Sequence, residues 1–166
     1  MNKDILNKEV QEGLSANANS DTKKLIFQKS PFSSILMSEL VDQIESKKKC
    51  IKKLPTWFNT SSVYYPIKLS IEQTSSEQTA KYKANLVAGD SLLDVTGGFG
   101  VDTFFFSKRI KEVVHVEHNE SLSQIAKHNF IELKANNISC FCEDGLGYLK
   151  SAGKTFDWIY IDPARR

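Results

Sequence analysis

The sequence predicts an α/β fold in which a helical N-terminal region, residues 1–70, precedes a mainly parallel sheet within residues 71–166. From Ser91 onward, short apolar segments alternate with amphipathic ones, as in parallel strands joined by right-handed crossover helices. Before that point, apolar residues recur at helical spacing. The segment LLDVTGGFGVD, residues 92–102, links an apolar strand through three glycines to a helix, an arrangement that can bind ligands.

Helices account for most of the predicted N-terminal region. The segments DILNKEVQEGL and PFSSILMSELVDQIESKKK carry apolar residues at helical spacing, and Pro31 stands where a helix can begin. The segment YYPIKLSIEQTSS alternates and predicts a short strand or an extended arm. A further helix, capped by Ser75 or Ser76, is predicted over SSEQTAKYKANLVA and leads into the glycine turn.

Strands and helices alternate in the second region. The predicted strands are SLLDVT, EVVHVE, ISCFCE and FDWIYID, and the fourth is expected to lie beside the first. Helices are predicted from about Val101 to Arg109, from about Glu120 to Ala135, and over GLGYLKSAG. The second of these carries one apolar stripe, as a helix that covers a sheet face requires.

Composition limits the classes of function. The 166 residues suffice for one domain with an accessory element, and a net charge of +2 argues against nucleic-acid binding through a global positive field. No window approaches the roughly 20 apolar residues that span a bilayer, so we expect a cytoplasmic protein without membrane contact. Three cysteines without zinc-type spacing predict no metal site.

One basic segment has two interpretations. KKKCIKKLPTW sets a run of lysines, Lys47 to Lys53, beside Trp57 and Phe58. Such a patch suits a phosphate backbone, with a ring on which a base can stack. The same lysines would also complement the dipole at the C-terminus of a solvated helix.

The glycine turn offers backbone N–H groups and the positive end of a helix to a ligand. Gly97, Gly98 and Gly100 lack the Cβ atoms that would block a close approach. Glu117 closes the second predicted strand about twenty residues later, where an acidic side chain can bind ribose hydroxyls. Asp144 closes the third strand and adds another acid to the same edge of the sheet. A plain packing turn and ordinary strand-end charges are the alternative interpretation.

Asp94 distinguishes between the candidate cofactors. A carboxylate beside a pyrophosphate is repulsive, which argues against a dinucleotide, and the chain lacks the GK[ST] ending of a P-loop. The same carboxylate suits a ligand that has cationic groups and no phosphate. S-adenosylmethionine carries an ammonium and a sulfonium group, and it is therefore the expected cofactor.

In this order, LLDVTGGFGVD, HVEHN, CED and IDPAR resemble the first four motifs of the class I, Rossmann-like S-adenosylmethionine-dependent methyltransferases, from about Glu72 to Arg166. The resemblance implies that Asp94, Gly98 and Gly100 line the methionine part of the cofactor. It also implies that Glu117 contacts the ribose and Asp144 the adenine. The remaining implied cofactor contacts are Thr96, Asp102, Thr103 and His118, of which His118 would touch the ribose or adenine or simply be exposed.

Asp162, Pro163 and Arg165 are the predicted catalytic residues. Asp162 ends the strand expected beside the first, and therefore lies next to the methyl group of the cofactor. DPAR resembles the N/D-P-P-Y/F motif of methyltransferases that act on amines and amides. It is closer to the DPPR of RNA uracil-C5 methyltransferases, and Arg165 would then hold a phosphate or a base edge. The methylated atom stays open.

More narrowly, SSEQTAKYK, DVTGGFGVDT and IDPARR together resemble a group of bacterial methyltransferase-like proteins, frequent in the Bacteroidetes, with a helical N-terminal region and a C-terminal THUMP-like domain. This resemblance implies base methylation of an RNA substrate, tRNA or rRNA. It also implies that the chain is the N-terminal part of a longer protein and is cut after the fourth strand. A homodimer would cover the sheet edge exposed there.

Two other functions stay open. A non-catalytic cofactor-binding or RNA-binding module would keep the fold without methyl transfer. A nucleotide-dependent oxidoreductase would need a phosphate-compatible turn, against which Asp94 argues. His115 and His128 are expected to be structural, whereas Tyr82 and Lys83 would either help close the cofactor pocket or pack a helix on the sheet edge.

Overall fold

The computed structural model describes residues 1–18 and 20–163, so the predicted catalytic Arg165 lies outside the described residues. Within these ranges no helix is long and apolar enough to cross a membrane. After a short 3-10 helix at Lys3–Leu6, the elements are α1 (Lys8–Ala16), α2 (Thr22–Leu25), α3 (Met37–Lys53), α4 (Pro55–Asn59), α5 (Lys68–Gln73), α6 (Glu77–Ala84), β1 (Ser91–Asp94), α7 (Val101–Phe106), β2 (Glu112–Val116), α8 (Glu120–Glu132), β3 (Ile138–Phe141), α9 (Gly145–Ser151) and β4 (Trp158–Tyr160).

The four strands form one parallel sheet in the order β3-β2-β1-β4. In the centre of the sheet, Leu93 pairs with Val114 on one side and with Ile159 on the other. This order confirms the predicted α/β class and the predicted place of the fourth strand beside the first. Because all strands run in one direction, their carboxyl ends meet at one edge, where ligands bind in open α/β sheets.

The two faces of the sheet have cores of different size. Successive residues of a strand point to opposite faces. Leu92 accordingly joins a large cluster that includes side chains of the N-terminal helices, whereas Leu93 joins a smaller one. In the large cluster, Trp57 of α4 is 0% exposed, and its ring lies 5.0 Å from the ring of Phe104 in α7. The N-terminal region therefore shares its core with one face of the sheet.

Side-chain amides hold the extended segment that leads to α5. Asn129 of α8 accepts a hydrogen bond from the N–H of Tyr64 and donates one to its carbonyl, both at 2.9 Å. Gln43 of α3 does the same for Tyr65, at 2.9 and 2.6 Å. Residues 63–67 therefore form an extended arm that joins no strand of the described sheet. The prediction of a short strand or an extended arm over the rest of YYPIKLSIEQTSS is wrong at Lys68–Gln73, which is helical.

Helix ends follow local capping. The predicted helix start at Pro31 is wrong, because α3 begins at Met37, where the Glu39 carboxylate accepts the N–H of Leu36 at 2.8 Å. The predicted cap of α6 is confirmed at Ser76, whose hydroxyl accepts the N–H of Thr79. Helices α7 and α8 end at Phe106 and Glu132, before the predicted ends at Arg109 and Ala135.

The lysine-rich end of α3 contacts the neighbouring helix α5. Lys53 donates to the carbonyl of Glu72 at 2.8 Å, and Lys49 forms a salt bridge with the Glu72 carboxylate at 3.3 Å. Trp57 is buried and cannot stack on a base, so its predicted role in nucleic-acid contact is wrong. The solvated helix end is the interpretation that the contacts favour.

Candidate cofactor and active site

A cavity of about 570 Å³ opens at the carboxyl edge of the sheet, beside the glycine turn. It brings together predicted site residues from all four strand ends. The predicted residues that line it are Asp94, Thr96, Gly98, Asp102, Glu117, His118, Asp144, Asp162 and Pro163. Gly100 does not line the cavity but lies against Phe130, and the predicted Arg165 lies outside the described residues.

Asp94 organises the turn from inside the protein. Its side chain is 1% exposed, and its two oxygens accept hydrogen bonds from the N–H of Thr96 at 3.0 Å and the hydroxyl of Thr103 at 2.6 Å. Burial raises the pKa of Asp94 to about 7, although these two hydrogen bonds act to lower it. The carboxylate at the base of the cavity therefore titrates near neutral pH.

The three glycines of the turn meet different structural requirements, a close side-chain contact or a positive φ angle. Gly97 lies so close to the buried ring of His115 that a Cβ atom would approach its Nε2 to 2.3 Å. Gly98 and Gly100 have positive φ angles, +57° and +84°, which favour glycine. Burial lowers the pKa of His115, so that a neutral imidazole fills the space beneath the turn.

Glu117 links the second strand to the turn. Its carboxylate accepts the N–H of Gly98 at 2.8 Å through one oxygen and the N–H of Asn119 at 2.7 Å through the other. The side chain is 8% exposed, and each carboxylate oxygen keeps a second lone pair for a further donor. His118 is exposed, with its Nδ1 3.2 Å from the Glu117 carboxylate. Glu117 can therefore accept from a ligand hydroxyl without leaving the turn.

Asp144 caps α9. Its carboxylate accepts the N–H of Gly147 at 2.7 Å, and the residue is exposed at the rim of the cavity. Gly145 follows it, and a Cβ atom on this residue would lie 2.0 Å from the carbonyl oxygen of Val95. The sequence interpretation missed Gly145, although a glycine directly after a strand-end acid was a signal that the backbones approach each other here.

Asp162 lies in a polar cluster at the end of β4. The Lys83 ammonium contacts the Asp162 carboxylate at 2.9 Å and the Asp102 carboxylate at 3.3 Å. The hydroxyl of Tyr160 lies within hydrogen-bond distance of the same two carboxylate oxygens, at 3.0 and 3.2 Å. The hydroxyl of Ser75 donates to Asp102 at 2.9 Å. We call these five residues the Lys83 cluster.

The cluster adds residues to those predicted for the site. Tyr160 is not among the predicted site residues, although it precedes Asp162 by two positions and strand alternation puts both side chains on the same side. Lys83 was expected either to close the pocket or to pack a helix, and it reaches the Asp162 carboxylate. Tyr82, its neighbour, is exposed.

The residues of the cavity fit a cationic nucleoside cofactor. Asp102 Oδ1 is buried and has no hydrogen-bond partner among the described residues, which leaves an acceptor for a cationic group. Apolar side chains of Leu122 and Leu146 line the same cavity and suit a flat heterocycle. The carboxylate of Glu117 suits the hydroxyls of a ribose. Acidic, apolar and hydroxyl-binding groups thus occur together.

Known proteins resemble this chain in sequence. An uncharacterized RNA methyltransferase of Mycoplasma mobile is 25% identical over 136 residues, 79% of this chain and 37% of that protein. Ribosomal RNA small subunit methyltransferase J of Francisella tularensis subsp. novicida is 28% identical over 122 residues, 68% of this chain and 49% of that protein. The chain thus spans half or less of the length of these relatives.

One solved structure and one protein family also match this chain. The crystal structure described as a "putative methyltransferase" from Porphyromonas gingivalis W83 has a TM-score of 0.81 at 29% identity, over 99% of this chain and 41% of that one. Residues 37–165 match the family described as protein-L-isoaspartate(D-aspartate) O-methyltransferase (PCMT). Because this match covers most of the chain, the chain belongs to the PCMT family of methyltransferases and has the class I, Rossmann-like fold.

Proposed function

We propose that the chain binds S-adenosylmethionine and is part of an enzyme that methylates a base of RNA, tRNA or rRNA. The observation that carries this proposal is the single cavity that joins the glycine turn, the strand-end acids and the Asp162–Pro163 segment. The names of the relatives, which refer to RNA and to ribosomal RNA, support RNA as the acceptor.

Each residue would have a defined part in cofactor binding. S-adenosylmethionine supplies a methyl group activated by its sulfonium. Glu117 would accept the ribose hydroxyls, Asp144 would contact the adenine, and Asp94 and Asp102 would attract the cationic methionine part. Thr96, Gly98, Gly100 and His118 complete the proposed cofactor-binding set. Since positioning supplies much of the acceleration in such a displacement, no general base is required.

Asp162, Pro163 and Arg165 would hold the acceptor. The Asp162 carboxylate and a backbone carbonyl can accept hydrogen bonds from a base nitrogen, and Arg165 can hold a phosphate or a base edge. A carboxylate acceptor, as in the name of the PCMT family, would enter beside Asp162 and Asp102 and meet like charge. Lys83 offsets part of this repulsion, but a neutral base nitrogen meets none, which favours a base over a carboxyl group as the methylated group.

A surface outside the cavity supports the RNA proposal. The side chain of Phe27 is 90% exposed, and Lys23, Lys24 and Lys29 around it are exposed. In residues 1–18 and 20–163 these lysines have no salt-bridge partner. An exposed ring among cations fits a stacked base between phosphates. We therefore propose RNA contact here and not at Trp57.

We also propose a cytoplasmic location, a division of the sequence into residues 1–70 and 71–166, and a homodimer. Trp158 and Ile159 on the edge strand β4 are 41% and 45% exposed, and a second copy would cover them. Light scattering on the purified chain tests the dimer, and a monomer at all concentrations would contradict it.

Calorimetric titration with S-adenosylmethionine tests the cofactor site. We expect binding by the wild type and at least tenfold weaker binding by Glu117→Ala, since about 1.4 kcal/mol corresponds to a factor of ten. Glu120→Ala is the matched control, because Glu120 is an exposed carboxylate three residues away that does not line the cavity. Wild-type affinity that survives Glu117→Ala would contradict the assignment of the ribose contact.

Methyl transfer is tested with the full-length protein, radiolabelled cofactor, and two acceptors, total RNA and an isoaspartyl peptide. Label in RNA supports the proposal, and label in the peptide alone contradicts it. Cofactor binding without label in either acceptor would indicate the alternative, a non-catalytic cofactor-binding or RNA-binding module.

Phe27→Ala should weaken RNA binding about tenfold through lost stacking, whereas Ile131→Ala, also an exposed apolar residue, should not.

A further inference from the structure

Lys83 joins three separate segments of the chain at the end of β4. It lies on α6, whereas Asp102 lies in the first turn of α7 and Asp162 follows β4. Its ammonium lies 3.0 Å from the Ser75 hydroxyl, 3.3 Å from Asp102 Oδ2 and 2.9 Å from Asp162 Oδ2, and it donates to the hydroxyl of Tyr160. The three N–H donors of one ammonium are therefore shared among four oxygens.

The two carboxylates of the Lys83 cluster need this cation. Oδ2 of Asp102 and Oδ2 of Asp162 both lie within 3.3 Å of the same ammonium and within 3.2 Å of the same Tyr160 hydroxyl. Without a positive charge between them, two ionised carboxylates at this separation would repel each other. Asp162 would then turn away from Asp102, although its N–H also donates to the Thr96 hydroxyl at 2.8 Å.

The charge state of the cluster agrees with this geometry. Partial burial acts to lower the pKa of Lys83, but the hydrogen bonds and charges of Asp162 and Asp102 outweigh it and raise the pKa above its ordinary value. Burial, and then the charge of Asp102, raise the pKa of Tyr160. At neutral pH, Lys83 is therefore a cation and Tyr160 a neutral donor.

We propose that Lys83 is a positioning residue for methyl transfer, which fixes Asp162 against the cofactor-side helix α7 by bridging it to Asp102. The inference rests on the proposed function, because Asp162 is the proposed acceptor-binding residue. Lys83 acts through Asp162 and touches neither the methyl group nor the acceptor. Its removal should therefore slow the turnover of bound acceptor more than it weakens cofactor binding.

The kinetic test compares variants of two lysines on α6 in the full-length protein. Lys83→Met removes the bridge, Lys83→Arg keeps the charge, and Lys81→Met is the matched control, since Lys81 pairs with Glu77. We expect kcat on RNA to fall about 100-fold in Lys83→Met, as for a misplacement of about 1 Å, with partial rescue in Lys83→Arg. We expect the cofactor Kd to change less than about threefold, and Lys81→Met to resemble the wild type.

Two kinetic results would overturn the inference. One is a kcat in Lys83→Met no lower than in Lys81→Met. The other is a loss of cofactor affinity as large as the loss of kcat, because Lys83 would then act in cofactor binding. If Lys83→Met does not fold, Lys83→Gln and Lys83→Arg provide the same comparison.

A second measurement does not depend on activity. The Cε resonance of Lys83 in ¹³C-lysine-labelled protein, assigned by its loss in Lys83→Arg, should titrate above the ordinary lysine pKa of 10.5. This upward shift should shrink in Asp162→Asn and Asp102→Asn, which remove the charges that cause it. If the pKa of Lys83 in the wild type is not raised, the bridge is absent and the inference fails, whatever the enzyme methylates. If the bridge is present but no acceptor is methylated, the proposed function is wrong. The proposed role of Lys83 in catalytic positioning is then wrong as well, and the bridge is a structural feature only.

Discussion

Asp94 is a fully buried acid at a cavity that suits a cation. Burial raises its pKa to about 7, so its charge changes in the physiological range. Only the ionised form attracts a cationic cofactor. The pH dependence of binding therefore reports on this residue.

We predict that the affinity of the wild type for S-adenosylmethionine falls as the pH is lowered from about 8 to about 6, as Asp94 takes up a proton. Asp94→Asn, which can keep both threonine hydrogen bonds, should lack this part of the pH dependence. Calorimetry at several pH values measures both, and titration of the cofactor itself is common to the two proteins. Parallel pH profiles would contradict the prediction.

Stability should change with pH in the opposite sense. An acid whose folded-state pKa lies above its unfolded value destabilises the fold above the folded pKa, and this cost disappears as pH falls from about 7 towards the ordinary value of 3.8. Any stability advantage of Asp94→Asn should therefore be larger at about pH 8 than at about pH 5. Urea unfolding at the two pH values provides this comparison.

The glycine turn provides a prediction at the scale of one element. Gly97→Ala would place a Cβ atom 2.3 Å from the buried His115 ring, which must shift, whereas the nearest atom to a Cβ on Gly98 is 3.7 Å away. Gly98→Ala therefore suffers only from its positive φ, at about 1 kcal/mol. We expect Gly97→Ala to lower the free energy of unfolding by about 2 to 3 kcal/mol through overpacking.

Urea unfolding of the two variants measures this difference. Gly98→Ala is the control for loss of glycine as such, since it lies in the same turn. Equal losses in the free energy of unfolding of the two variants would contradict the prediction, because the close contact of Gly97 with His115 would then add nothing to the cost of a Cβ atom.

The extended arm depends on one amide of α8. Asn129 satisfies both backbone groups of Tyr64 in a buried position, so Asn129→Leu would leave a buried N–H and a buried carbonyl without partners. We expect a loss of about 3 kcal/mol in the free energy of unfolding. Gln124→Leu, on an exposed face of the same helix, should change it by less than about 0.5 kcal/mol. Similar values for the two would show that the arm is not held by Asn129.

At the scale of the molecule, the N-terminal region and the sheet share one core. The large hydrophobic cluster contains side chains from the N-terminal helices and from β1 and α7. We therefore predict one cooperative unfolding transition, in spite of the proposed division at residue 70. In Trp158→Phe, the fluorescence of Trp57 and the far-UV circular dichroism should give the same urea midpoint. A separate, earlier transition of Trp57 would indicate an independent N-terminal unit.

The sequence alone was sufficient for the order of strands and helices in the sheet region. Alternating apolar segments and the glycine turn are local signals, and the place of β4 beside β1 is that of the doubly wound sheet which these signals predict. One error is local: the helix predicted to begin at Pro31 begins at Met37, where the Glu39 carboxylate caps it. The other depends on a distant residue, because the arm at Tyr64 is held by an amide 65 residues away.

The chain by itself determined which acids end the strands and which glycines form the turn, because strand ends and turns are encoded locally. The tertiary structure alone decided that His115 fills the space under Gly97 and that Lys83 bridges Asp102 and Asp162. These partners lie up to 79 residues apart. They meet only when α6 packs beside α7 and β4 pairs with β1, and no local pattern records a contact that depends on that packing.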